Sequence, residues 1–179
     1  ASSDIVLIQY EVPPAVVLRA LELGRKHGRT TVWNPAPAQP ATQEFLGLVD
    51  VLTPNETELR ILLDLPPDDP TPNDVLARRL LGMGTGAVVA TLGQQGAMIV
   101  TSGGVETVPA VSGISVVDVT GAGDAFNAAL AVGRGEGMPL RDAVAQAAYA
   151  GAFAVQHLGV IDGLPTREQL EQFRRAWSV

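Results

Sequence analysis

Gly121, Ala122, Gly123 and Asp124 are residues whose types and spacing could do chemistry together. The β-branched run Ile114 to Val119 precedes them, and an Ala-rich helical pattern follows at once. The spacing predicts a strand over 114–119 feeding a glycine turn that opens a helix. Such a turn suits an anion. Glycine lets the backbone approach a ligand closely, the first helical N–H groups lack partners, and the helix dipole adds positive charge there. Asp124 then falls in the first turn of the helix. A carboxylate beside a phosphate is repulsive unless it does work, such as taking a proton from an attacking hydroxyl. The plainer reading is that Asp124 only caps the helix. The string is not the dinucleotide pattern GxGxxG, because Asn127 stands where the third glycine would be, and it lacks the Gly-Lys-Ser/Thr end of a P-loop.

The elements that must hold this turn read as alternating strands and helices. Asp4 to Gln9 is an apolar run expected as a buried strand, and Pro13-Pro14 opens a helix to His27 with Val17, Leu18, Leu21 and Leu23 on its inner face. Further strands are expected at Thr30 to Trp33, Leu48 to Thr53 and Ala87 to Leu92, with helices at Glu56 to Leu63 and Asn73 to Met83. Ala97 to Thr101 and Val105 to Val108 read as a hairpin, and Leu140 to His157 and Thr166 to Trp177 as the last helices. The pattern predicts one α/β domain over residues 1–179, a three-layer α/β/α sandwich with a mostly parallel sheet and ligands along the carboxyl ends of its strands.

Two further groups stand at expected strand ends. Asn55 and Glu58, at the start of a helix, could hold the water shell of Mg²⁺, or could simply cap that helix. Glu11 follows the first strand and, by residue type alone, reads as an exposed acid between a strand and a helix.

Composition narrows the classes. The 179 residues are 46% hydrophobic and only 4% aromatic, so the chain folds around an aliphatic core with close Ala and Gly contacts. A net charge of −7 argues against a general nucleic-acid binder. There is no cysteine and there are only two histidines, which excludes a disulfide framework and a thiolate metal site and disfavours a His-rich one. No stretch reaches the roughly 18 apolar residues of a membrane span, and residues 1–12 lack the basic start and cleavage pattern of a signal peptide. The expected location is the cytoplasm, with no nucleic-acid or membrane partner. A nicotinamide oxidoreductase is disfavoured by the missing GxGxxG.

The string Asp118-Val119-Thr120-Gly121-Ala122-Gly123-Asp124-Ala125-Phe126 resembles the second signature of the ribokinase-like (PfkB) family of carbohydrate kinases. Gln9-Tyr10-Glu11, Asn34-Pro35-Ala36-Pro37-Ala38, Thr53-Pro54-Asn55-Glu56-Thr57-Glu58 and Thr91-Leu92-Gly93-Gln94-Gln95-Gly96 resemble other strings of that family, in its order, from about Ile5 to Trp177. The resemblance implies ATP-dependent phosphorylation of a sugar hydroxyl, ribose first because of the Asn34 to Ala38 string. The alternatives are a non-catalytic nucleotide-binding or assembly module, and a related kinase for another sugar or a nucleoside.

By the same resemblance, Asp124 is the base and also contacts the sugar, with Gly121, Ala122 and Gly123 stabilising the transferring phosphoryl. Asn55, Thr91, Gly93, Gln94, Gln95, Gly96, Gly123 and Ala148 bind ATP, and Glu11 contacts the sugar. Asn55 and Glu58 hold Mg²⁺ through water. Asp118, Thr120, Ala154, His157, Gly159 and Gly163 form a monovalent-cation site for K⁺. Two positions depart from the family pattern: Ala148 replaces a polar adenine contact, and Gly163 a serine. The family's N-terminal strands and β-lid are not in this sequence, so the expected match is to the C-terminal, nucleotide-binding portion. The expected partners are a small-molecule sugar and ATP, and the expected assembly is a homodimer.

Overall fold

A computed structural model describes residues 3–177. The chain divides into two compact units, the first running to Leu92 and including Ala97–Thr107, the second made of Gly93–Gly96 and the chain from Val108 on.

The first unit carries the sheet. Its strands are β1 (Ile5–Gln9), β2 (Thr30–Asn34), β3 (Val51–Leu52), β4 (Ala87–Thr91), β5 (Ala97–Thr101) and β6 (Gly104–Val108), adjacent in that order. β1 to β4 are parallel and β5 runs antiparallel to β4, as the α/β reading requires. Four helices join them: α1 (Pro14–Lys26), α2 (Gln43–Leu46), α3 (Glu56–Leu62) and α4 (Asn73–Gly82). The register lines up Ile8, Trp33, Leu52, Val88 and Val100 in one row across five strands. That row shares a core with Val17 and Leu21 of α1, Leu46 of α2, Leu59 and Leu62 of α3, and Leu76 and Leu80 of α4. Strands added in sequence order by right-handed crossovers place their helices on the same face, which is why one core serves all four helices.

In α1 the buried positions are Val17, Leu21 and Gly24, while Leu23 is exposed. The inner stripe follows the i, i+4, i+7 spacing, and Leu23 lies off it. Gly24 is part of the fit: a Cβ there would sit 2.7 Å from the Thr31 methyl. The third strand is shorter than expected, and α2 takes up chain that reads as a connection.

The second unit is helical: α5 (Ala122–Gly135), α6 (Leu140–Ala154), α7 (Val160–Gly163) and α8 (Arg167–Trp177). α5 and α6 approach closely through small residues. A Cβ on Gly133 would lie 3.1 Å from the Ala143 Cβ. Aromatic edges dock α8: Phe173 meets Tyr149 and Phe153 at centroid distances of 6.3 and 5.6 Å, both near perpendicular.

One expected element is absent. Residues 114–119 form no strand; Val116, Val117 and Val119 are 54%, 60% and 70% exposed. The N–H groups of Val117 and Asp118 both donate to Val155 O, at 2.7 and 3.2 Å. β-Branched residues favour strands only where a pleated neighbour packs against them, and no strand pairs with this segment among the described residues.

Candidate active site

The carboxyl ends of the strands in the first unit carry a connected polar row. Gln9 Nε2 donates to Asn34 Oδ1 (2.8 Å), and Asn34 Nδ2 donates to Thr53 O (2.8 Å). Tyr10 N–H donates to Ala36 O at 2.9 Å, tying the end of β1 to the loop after β2. Tyr10 itself is buried edge-on to Trp33 at 5.0 Å, and burial pushes its phenol pKa up. Glu11, the next residue, is exposed.

Asn55 and Glu58 begin α3 as a reciprocal cap. Asn55 Oδ1 accepts from Glu58 N–H at 2.9 Å, and Glu58 Oε2 accepts from Asn55 N–H at 2.7 Å. The capping reading of this pair is therefore realised. It uses one carboxylate oxygen of Glu58, Oε2, and not Oε1. Burial raises the Glu58 pKa, and the bond from Asn55 N–H partly offsets that. Thr91, at the end of β4, bridges to Asn55, and its N–H donates to Pro54 O at 3.0 Å. The structure thus brings Asn55, Glu58 and Thr91 together at adjacent strand ends.

In the second unit, Gly93–Gln95 is a 3-10 turn with exposed Gln94 and Gln95, closed by Gly96 N–H donating to Gly93 O at 3.0 Å. Gly96 has φ +90°, and a Cβ there would meet Val108 O at 2.1 Å. Its glycine is demanded by the fold, whatever the loop binds.

The glycine turn has the shape expected of it. Gly121 caps α5 at φ +77°, where a Cβ would press on Val160 at 3.0 Å, and Ala125 N–H closes the first turn on Gly121 O at 2.9 Å. Asp124 is exposed in that turn. Ala122 N–H is engaged by Val119 O at 3.3 Å. Neither Gly121 nor Gly123 N–H donates to a group outside the helix among the described residues. Asn127, 3% exposed, donates from Nδ2 to Gly123 O at 2.9 Å and so steadies the turn from below. The sequence marked Asn127 only as a missing glycine.

Asp118 is a clasp. Oδ1 accepts from Thr120 Oγ1 (2.7 Å) and N–H (2.9 Å), and Oδ2 accepts from Gly159 N–H at 2.9 Å. These bonds, led by the Thr120 hydroxyl, hold its pKa below the usual aspartate value. Asp118, Thr120 and Gly159 are thus brought together. Ala154 and Gly163 are neighbours, since a Cβ on Gly163 would lie 3.2 Å from Ala154 O. That carbonyl accepts from His157 N–H at 3.0 Å, while the His157 ring stacks on Phe153 at 4.4 Å. Ala148 lies partly exposed on α6 and offers no side-chain donor. Among the described residues no three His, Cys, Asp or Glu side chains gather as a metal cluster. No helix among them is long and apolar enough to cross a membrane.

Comparison with known proteins supports the family resemblance. The chain is 34% identical over 169 residues to a ribokinase of Schizosaccharomyces pombe, covering 93% of this chain and 53% of that protein. A crystal structure of ribokinase from Thermotoga maritima matches with a TM-score of 0.88 at 32% identity, over 96% of this chain and 57% of the other. Ribokinase of Arabidopsis thaliana, solved with ribose and ATP, matches with a TM-score of 0.87 at 29% identity, over 95% and 55%. The chain thus spans about half the length of the relatives it matches. Residues 1–167 match the profile of the pfkB family of carbohydrate kinases, and the chain belongs to that family.

Proposed function

We propose that the protein carrying this chain transfers the γ-phosphoryl group of ATP to a primary hydroxyl of a sugar, ribose first, giving ribose 5-phosphate. The observation that carries this reading is the glycine turn itself: Gly121 at φ +77° opening α5 with Asp124 exposed in its first turn. Asp124 accepts the hydroxyl proton as the sugar oxygen bonds to the γ-phosphorus and the bond to the bridging oxygen of ADP breaks. The N–H groups of Gly121 and Gly123 stabilise the charge on the transferring group. Ala122 contributes less, because Val119 O already takes its N–H. Phosphoryl transfer asks mainly for positioning and charge stabilisation, which a rigid helix start supplies.

The residues at the strand ends fit the implied cofactor. Glu58 Oε1 is the carboxylate oxygen its cap leaves over, and a hydrated Mg²⁺, which keeps most of its waters, asks for one or two such oxygens. Bound there, Mg²⁺ would neutralise phosphate charge. Thr91 and Gly93 to Gly96 form the ATP-binding loop in this reading, and Ala148 leaves adenine to apolar packing and backbone groups. Glu11 accepts hydroxyl protons of the sugar. Asp118 and Thr120, with carbonyls of Ala154, His157, Gly159 and Gly163, form the K⁺ site. Because three hydrogen bonds already occupy Asp118, the carbonyls would carry most of the K⁺ coordination.

The test is ADP release by the full-length product of the reading frame with ribose and ATP, beside a titration of ATP binding. Ribose-dependent turnover supports the kinase. ATP binding without turnover on any sugar or nucleoside would mark a non-catalytic nucleotide-binding module.

A further inference from the structure

The row of polar residues across β1, β2 and β3 has a direction that its chemistry fixes. Thr53 O is a backbone carbonyl and can only accept, so the Asn34 atom 2.8 Å from it is the NH₂ group. Asn34 Oδ1 is then turned toward Gln9 and must accept, so the Gln9 atom 2.8 Å away is also NH₂. Neither carboxamide can flip without setting oxygen against oxygen. Gln9 and Asn34 are in register as Cα partners, and Asn34 is only 8% exposed.

One step back along the strands, Ile8, Trp33 and Leu52 stand in register and their side chains meet only by apolar packing. An apolar pair in place of Gln9 and Asn34 would join the strands without desolvating two amides. What the amide pair adds is a defined orientation. That orientation is passed on in both directions. Tyr10 N–H is bonded to Ala36 O, two residues past Asn34, and Glu11 leaves the sheet from there. On the other side Thr53 leads into Pro54 and the Asn55 cap.

We infer that Gln9 and Asn34 are a positioning pair for the acceptor: their directed amide chain sets where Glu11 stands above the carboxyl edge, and so sets affinity for the sugar rather than the rate of transfer. This rests on the reading of Glu11 as the sugar contact. It also gives a physical reason for a Gln two residues before Glu11 to accompany an Asn at the start of the Asn34 to Ala38 loop: each needs the other's amide.

The discriminating variant is Gln9→Glu, which keeps the shape and removes the donor. In the full-length protein KM for ribose should rise about tenfold, the equivalent of one buried hydrogen bond, while KM for ATP and kcat stay within about twofold. The deficit relative to wild type at the same pH should shrink as pH falls from about 8 to about 5, since a protonated carboxyl regains an O–H donor. Asn34→Asp, which instead loses the donor to Thr53 O, should raise the same KM. Exchange of the Tyr10 amide hydrogen should quicken in Gln9→Glu. An unchanged KM for ribose, or equal rises in both KM values, would overturn the inference. If the wild type gives no turnover, the kinase reading fails first, and Tyr10 amide exchange with ribose-binding titrations then decides the pair: unchanged exchange and unchanged ribose affinity in Gln9→Glu overturn it, while faster exchange with weakened ribose binding sustains it.

Discussion

Replacing Glu58 by Gln should separate the capping role of this residue from its proposed metal role. The carboxylate accepts from Asn55 N–H at 2.7 Å, and an amide oxygen can stand in the same place, since either Glu or Gln completes a capping box. Burial holds the Glu58 pKa up, so its ionised form carries a penalty in the folded state. The sign follows: stability from this group is full below the ordinary glutamate pKa and falls as pH rises through the raised value. A neutral amide removes that slope. Glu58→Gln should therefore match the wild type within about 0.5 kcal/mol at neutral pH, leaving Tm within about 2 °C. Glu58→Ala loses the acceptor and should cost about 1 kcal/mol, or about 2–4 °C. Both variants lose the charge offered to Mg²⁺, and the Mg²⁺ concentration for half-maximal turnover should rise about tenfold in each. The assay is a Mg²⁺ titration of ADP release beside thermal melts. If Glu58→Gln keeps wild-type Mg²⁺ dependence while Glu58→Ala only melts earlier, Glu58 is a cap and nothing more.

Three other perturbations test the frame around the site. Arg60 donates to Asp69 O, Glu56 O, Asn73 Oδ1 and Thr71 O at 2.8, 2.6, 3.0 and 3.2 Å, so it pins the Pro66–Pro72 loop to α3. Arg60→Ala should cost about 2 kcal/mol in denaturant melts, and Arg60→Lys should recover little, because one ammonium cannot span the four acceptors. Gly96→Ala should fail to fold or lose several degrees of Tm, because its Cβ would meet backbone atoms of Val108 and Ala110 at 2.1 and 2.5 Å; a wild-type melt would show that the loop yields freely. The Asp118 clasp, with its pKa held down by Thr120 and Gly159, should survive as pH falls past the ordinary aspartate value of about 3.9 and open only below it. The amide resonance of Gly159 reports this, and a midpoint at or above that value would contradict it.

Element types were legible where periodicity was strong. The alternation of strands and helices from β1 to β5, the capped start of α3 and the glycine turn before α5 all follow from local pattern. The run over 114–119 misled because β-branched residues carry strand propensity only with a neighbour to pair with, and its N–H groups found Val155 O instead. The four-residue helices α2 and α7 are too short for a helical period to register. At Asn55 and Glu58 the sequence supported both a cap and a cation site, and the structure shows the cap, made through Glu58 Oε2 alone. The link between Gln9 and Asn34 was out of reach, because 25 residues separate them and only sheet register brings them together. Asn127 was hidden for a different reason: a buried asparagine in a helix looks like an ordinary core position until its bond to Gly123 O is seen.

The central claim is that Asp124, in the first turn of α5, takes the proton from the acceptor hydroxyl. Asp124→Asn in the full-length protein tests it most directly. An asparagine fits the same turn but cannot accept that proton at neutral pH, so kcat should fall by about 10²- to 10⁴-fold while the Kd for ATP stays within about threefold. Turnover at the wild-type rate in that variant would contradict the account.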